Sequence, residues 1–222
     1  MTQFDRLIAL VGKTQFEKLQ RANVLVLGLG GVGGNAVETL VRSGIGKITV
    51  VDDDCFELSN LNRQLFSTHS SLGKRKVDVC VTRCVDINPN LKITAVCERF
   101  SSESKLDFSP FDYVIDAVDD VEAKLEIVKR AKVANVRVIS CMGTAKKFDL
   151  TKLRVDDLFN TSVCPLASVM RKKCRENSIT HLKCVYSTEK PHKSEILGST
   201  AFVPCGAGIL LAQTVVNDIL KD

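Results

Sequence analysis

The chain has 222 residues, 45% of them hydrophobic and 26% charged, with a formal net charge of +5. A chain of this length can bury roughly 70–75% of its unfolded surface, which excludes disordered and fibrous classes, and the charge is too small for a polybasic nucleic-acid binder taken as a whole. Its nine cysteines are odd in number and contain no Cys-x-x-Cys pair. With no N-terminal stretch that reads as a signal peptide, this excludes a disulfide framework and a paired-cysteine zinc knuckle and predicts a reducing, cytoplasmic setting.

In chain order, Asn23–Leu27 is a short apolar, β-branched run ending in glycines, the pattern of a buried parallel strand. A helix over 35–42 follows, then a strand over 47–51 that ends in Asp52, Asp53 and Asp54. The segment 74–87 carries Val77, Cys80, Val81, Cys84 and Ile87 at helical spacing and stops at Asn88-Pro89-Asn90. The spacing makes Cys80 and Cys84 small core residues rather than metal ligands. Strands are predicted at 92–97, 113–117 and 137–142, with a helix over 122–134 joining the last two.

Strand and helix alternate, so the fold class is α/β: a Rossmann-like, doubly wound, mostly parallel sheet with helices on both faces, its ligand lying outside the carboxyl ends of the strands. After Asp149 the alternation weakens to a helix over 165–176, a strand over 182–186, a polar loop and a last helix. A single domain over 1–222 is expected, with 1–150 as nucleotide-binding core and 151–222 as an α/β extension for substrate and dimer contacts. Residues 196–217 carry no charge, yet Pro204, Gly206, Gly208 and several polar residues interrupt them. A buried or subunit-interface helix over 207–220 is expected there, and no membrane span.

Gly28-Leu29-Gly30-Gly31-Val32-Gly33-Gly34 lies between strand and helix, where glycines allow the backbone to approach a phosphate at a helix N-terminus. Asp52, at the next strand end, is placed to accept hydrogen bonds from a ribose. A triphosphate additionally needs fixed cations and carboxylates for magnesium. Arg63 in Asn60-Leu61-Asn62-Arg63-Gln64, the Lys74-Arg75-Lys76 run and the Asp116-Ala117-Val118-Asp119-Asp120 strand end supply them, which points to ATP and Mg2+ rather than NAD. Taken singly, the lysine run could be a solvated helix start and Asp119 a helix cap.

These motifs, with Asp52-x-Asp54, Gly73-x-x-Lys76 and Asp116-x-x-Asp119, resemble the ThiF/MoeB/HesA superfamily of carboxylate-adenylating enzymes, relatives of the ubiquitin-activating enzymes. The resemblance implies that Asp52 holds the ribose, that Asn60, Arg63 and Lys76 hold the phosphates, that Asp119 holds magnesium and that Asp54 assists around them. It also implies a homodimer in which Arg6 reaches into the partner's ATP site. Gly34 departs from the serine that many relatives have. Ser140-Cys141-Met142-Gly143, Asp149, Thr161-Ser162-Val163-Cys164-Pro165-Leu166-Ala167 with Arg171, and Val185-Tyr186-Ser187-Thr188-Glu189-Lys190-Pro191 resemble the tRNA threonylcarbamoyladenosine dehydratase (TcdA/CsdL) branch.

That branch implies ATP-dependent cyclisation of a threonylcarbamoyl group on tRNA beside the anticodon. The alternative is an activator of a ubiquitin-like or sulfur-carrier protein, in which Cys164 or another cysteine takes the carboxyl group as a thioester. A sulfur-transfer or carrier protein is accordingly a second partner class. Cys164, before Pro165 at a helix start, is read as structural. Residues 168–195 hold seven cations and three anions, most of the net charge. Beside such a site, Arg171, Lys172, Lys173 and Arg175 become a candidate RNA surface rather than an ordinary solvated face.

Overall fold

The structure, a computed structural model, describes residues 2–221. Two helices open the chain, α1 (Asp5–Val11) and α2 (Lys13–Arg21), neither of them anticipated from the sequence. Then come β1 (Asn23–Leu27), α3 (Gly33–Arg42), β2 (Lys47–Val51), α4 (Lys76–Ile87), β3 (Lys92–Val96), β4 (Tyr113–Asp116), α5 (Val121–Val133) and β5 (Arg137–Cys141). The remainder is β6 (Leu153–Asp157), α6 (Pro165–Glu176), β7 (Lys183–Ser187) and α7 (Phe202–Lys221).

All seven strands form one sheet in the order β3-β2-β1-β4-β5-β7-β6. Every pairing is parallel except β6 with β7, which is antiparallel at the edge. The sheet is therefore doubly wound and mostly parallel, and the strand order reverses beside β1, where such folds open a crevice. Edge strand β6 (Leu-Arg-Val-Asp-Asp) escapes sequence reading because its solvated positions lack the apolar run that marks the central strands.

Alternation along β1 divides the interior. Val24 and Val26 face a core shared with α3, α4 and α7, whereas Leu25 and Leu27 face α5 together with Phe100 and Phe108. A third cluster joins α5 and α6 through Leu125, Val128, Met170 and Cys174. Cys80 and Cys84 are buried in the first core, their sulfurs 3.9 Å apart. Helix α7 begins five residues earlier than expected, at Phe202. Its Val203, Ala207, Leu211, Val215 and Ile219, spaced four apart, enter the core beside α3. Although α7 is long and apolar enough to cross a membrane by length and composition, that face is already spent on intramolecular packing.

Candidate nucleotide-binding and adenylation site

A cleft of about 760 Å³ opens at the carboxyl ends of the central strands. It is lined by the glycine loop after β1, the Asp52–Asp54 turn after β2, Glu98–Phe100 after β3, Ala117–Asp120 after β4 and Met142–Ala145 after β5. Convergence on one place follows from the parallel sheet, which sends every carboxyl end to the same edge.

Gly28, Gly30 and Gly31 line the cleft. Gly33 stands outside the lining at the start of α3, where a Cβ would lie 1.7 Å from the Gly28 carbonyl oxygen; it serves the crossing of the loop over itself. Gly30 differs. A Cβ there would meet nothing closer than Gln64 Nε2 at 4.0 Å, so the chain's own packing does not require a glycine. The space it leaves faces the cleft, beside Gln64, whose buried Oε1 has no partner among the described residues. A cradle left open in this way fits a phosphate approached by backbone N–H groups.

Asp52 is clamped between two backbone donors: its Oδ2 accepts from Leu29 N–H at 2.6 Å and its Oδ1 from Asp54 N–H at 2.9 Å. Burial pushes its carboxyl above the usual carboxylate range, against the pull of those N–H groups and of Lys76. Lys76 is itself buried, with Nζ 2.6 Å from Asp54 Oδ2 and 3.9 Å from Asp52 Oδ1. Lys74 and Arg75 are exposed, so within the basic run only Lys76 joins the site. The Asp52, Asp53 and Asp54 carboxylates bring oxygens within 4.8 Å of one another.

Asn60 is buried and caps a short 3-10 turn, its Oδ1 accepting from Glu57 N–H at 3.1 Å. Arg63 rests at the cleft wall, donating from Nη1 to Ser59 O at 2.8 Å and to Asn62 Oδ1 at 3.0 Å. Helix capping falls to Asp120, which accepts from Ala123 N–H at 2.8 Å. Asp119 is thereby left exposed in the cleft lining, with no hydrogen-bond or ion-pair partner among the described residues. The capping role considered for Asp119 belongs to its neighbour.

Other predicted residues lie elsewhere. Arg6 is exposed on α1, outside the cleft, in a helix that packs on α2 by the groove at the amino ends of the strands. Cys164 is 2% exposed, packed with Met142, Ala167 and Met170, and does not line the cleft, although Leu166 does. On α6, Arg171 donates to Thr161 O and Oγ1, Lys173 pairs with Glu122 and Arg175 lies over the Phe159 ring. Of the four proposed RNA-facing cations, Lys172 is exposed without an intramolecular partner among the described residues.

Three parts of the site escaped the sequence. Glu98 and Arg99 line the cleft just past β3, and reading every strand end as a lining position would have found them. Leu197 and Ser199 come from the polar loop before α7, tied down where Asn62 Nδ2 donates to Ser199 O at 3.1 Å. Lys124, one turn into α5, is fully buried and bonds both oxygens of Asp116 beneath the cleft floor. No spacing rule would have paired it.

The model of the ThiF family matches residues 4–220. The tRNA threonylcarbamoyladenosine dehydratase of Bacillus subtilis is 36% identical over 99% of this chain and 95% of its own length. A crystal structure of the Escherichia coli tRNA N6-threonylcarbamoyladenosine dehydratase TcdA in complex with ATP superposes with a TM-score of 0.93 at 28% identity, covering 99% of this chain and 94% of that one. The sulfur carrier protein adenylyltransferase of Thermus thermophilus is 39% identical, but over half of this chain and 41% of its own length. With a match over nearly every residue and a cleft assembled from the motifs that carried the resemblance, the chain belongs to the ThiF family.

Proposed function

We propose that this protein is an ATP-dependent tRNA threonylcarbamoyladenosine dehydratase, acting in the cytoplasm. The observation that carries the reading is the open cradle at Gly30 ringed by Asp52, Arg63, Lys76 and Asp119, in a chain similar to dehydratases along its full length. A free carboxylate is a poor acylating group because its leaving group would be oxide. Transfer of AMP from ATP to the threonine carboxylate releases pyrophosphate and makes AMP the leaving group. Attack by the carbamoyl nitrogen or oxygen then closes a five-membered ring, releases AMP and a proton, and leaves the nucleoside one water lighter. Ring closure is intramolecular, so proximity supplies what a protein nucleophile would otherwise have to.

In this chain the clamped Asp52 would receive the ribose, its carboxylate already oriented by Leu29 and Asp54 N–H. Arg63 and Lys76 would face the phosphates, Lys76 exchanging part of its contact with Asp54 for a phosphate oxygen. The carboxylates of Asp119 and Asp54 suit a hard, oxygen-seeking cation. Magnesium bound there would supply charge neutralisation on the phosphates. Buried Cys164 is poorly placed to form a thioester, so the carrier-protein alternative would have to use another cysteine, such as Cys55, which is exposed in the cleft lining.

The reading includes a homodimer in which Arg6, without an intramolecular partner among the described residues, completes the second copy's site. It also includes an RNA surface on α6, with Lys172 free to meet phosphate and Arg171, Lys173 and Arg175 flanking it. Incubation with ATP, magnesium and threonylcarbamoylated tRNA, followed by nucleoside mass analysis, tests it. Loss of one water is expected, abolished by Asp119→Asn and largely retained by Cys164→Ala; an unchanged nucleoside refutes the reading. Mixing Arg6→Ala with Asp119→Asn protein should restore activity to the pair if Arg6 acts across a dimer.

A further inference from the structure

The chain has ten phenylalanines, two tyrosines and no tryptophan. Among the described residues, two of these rings are exposed: Phe148 at 61% and Phe202 at 51%. They touch each other edge to face, with centroids 5.3 Å apart, although 54 positions separate them. Neither ring lines the cleft itself, but both border it along the chain, each within three residues of a lining position. Phe148 follows Thr144 and Ala145, and Phe202 precedes Pro204, all three of which line it. The proposed α6 surface lies on the opposite face of the sheet, since α6 packs on α5 while α7 packs on α3.

The surroundings of the pair are cationic. The loop over 188–198 is knitted to the segment that carries Phe148: His192 N–H donates to Lys146 O, Lys146 N–H to Gly198 O and Lys146 Nζ to Ser194 O. This holds the loop that carries exposed Lys190 and Lys193 beside the Phe148 segment, and Thr188 N–H, donating to Lys152 O, ties exposed Lys152 to the start of the same loop. Of the neighbouring anions, Glu189 is engaged with the Phe148 and Asp149 N–H groups and Asp149 with Thr151; Glu195 is not engaged. Exposed rings framed by lysines suit a polyanion with flat apolar faces better than a second apolar protein surface. Single-stranded RNA is recognised by stacking splayed bases on such rings while nearby cations meet its phosphates.

We propose that Phe148 and Phe202 form a stacking platform for a nucleobase next to the modified adenosine, steadying the loop while the threonylcarbamoyl group enters the cleft. This rests on the dehydratase reading above. It makes the two rings positioning residues for the RNA, not catalytic ones.

The test is steady-state kinetics of Phe148→Leu and Phe202→Leu with threonylcarbamoylated tRNA, together with sedimentation of each variant. Leucine keeps the apolar bulk and removes the π-face. KM for tRNA should rise about tenfold, with kcat and the KM for ATP near wild type and the oligomeric state unchanged; Phe→Tyr should restore KM. Unchanged KM for tRNA, equal loss toward ATP, or a change in oligomeric state would overturn the proposal, the last by assigning the rings to a contact between copies. Wild-type turnover run in parallel separates failure of the platform from failure of the dehydratase reading.

Discussion

Lys124 and Asp116 form an ion pair from which solvent is wholly excluded, with Nζ 3.1 and 3.0 Å from the two carboxylate oxygens. Nζ also donates to Cys141 O at 2.7 Å, and Ser140 Oγ donates to Asp116. The pair ties the end of β4, the first turns of α5 and the end of β5 together, the three places that deliver Asp119 and Met142–Gly143 to the cleft. Removing one partner strands a buried charge, so Lys124→Met should cost about 3–5 kcal/mol of stability. Removing both with Asp116→Leu should cost less than Lys124→Met alone. Urea unfolding of the two single variants and the double variant decides this; a Lys124→Met protein as stable as wild type contradicts it.

The glycine loop separates folding from binding. Alanine at Gly33 places a Cβ 1.7 Å from the Gly28 carbonyl oxygen, whereas alanine at Gly30 has free space. Gly33→Ala should fail to accumulate as folded protein. Gly30→Ala should melt near wild type yet bind ATP about tenfold or more weakly, the loss of roughly one charge-assisted hydrogen bond. Calorimetric titration with ATP alongside thermal melts measures both quantities.

The Arg63 guanidinium bonds within the chain only to Ser59 O and Asn62 Oδ1 among the described residues, both nearby on the same turn. Arg63→Ala should therefore leave Tm almost unchanged while lowering kcat/KM by about 10²–10³-fold, the typical loss for one preorganised donor. Lysine should not substitute, because it lacks the forked geometry that meets two phosphate oxygens. A parallel fall in Tm and rate would assign Arg63 to the fold instead.

Glu189 latches the loop before α7. Burial works to raise its pKa, but the Phe148 and Asp149 N–H groups and His192 outweigh it, so the carboxyl titrates below its ordinary value of 4.5. A depressed acid pKa contributes stability that is present above 4.5 and lost as pH falls through the folded-state value. Amide protection over 190–198 should thus hold at neutral pH and decline under acid conditions. At pH 7, Glu189→Gln should speed tryptic cleavage after Lys193; equal cleavage of wild type and variant would remove the latch.

The central strands, the glycine loop and the acidic strand ends were legible because local rules govern them. A buried parallel strand needs an apolar run, a tight phosphate-binding turn needs glycine, and carboxyl ends of parallel strands share one edge. From these followed the cleft and the place of Asp52 and Asp119 in its lining, whereas Lys76, which also lines it, came from the cations that a triphosphate requires. Helices α1 and α2 and strand β6 were not legible, since each is short and buries few side chains: none in α1, Phe16 and Leu19 in α2, and Leu153 in β6.

The tertiary structure alone decided matters that depend on which distant atoms meet. It divided two adjacent carboxylates, with Asp120 capping α5 and Asp119 left for the cleft. It separated Gly33, which the backbone crossing demands, from Gly30, which the chain's own packing does not, and it paired Lys124 with Asp116 in the interior of the core. It also joined Phe148 to Phe202. Residue type and spacing along the chain specify chemistry and periodicity; burial, contact across 54 positions and the crossing of a loop over itself exist only once the sheet has closed.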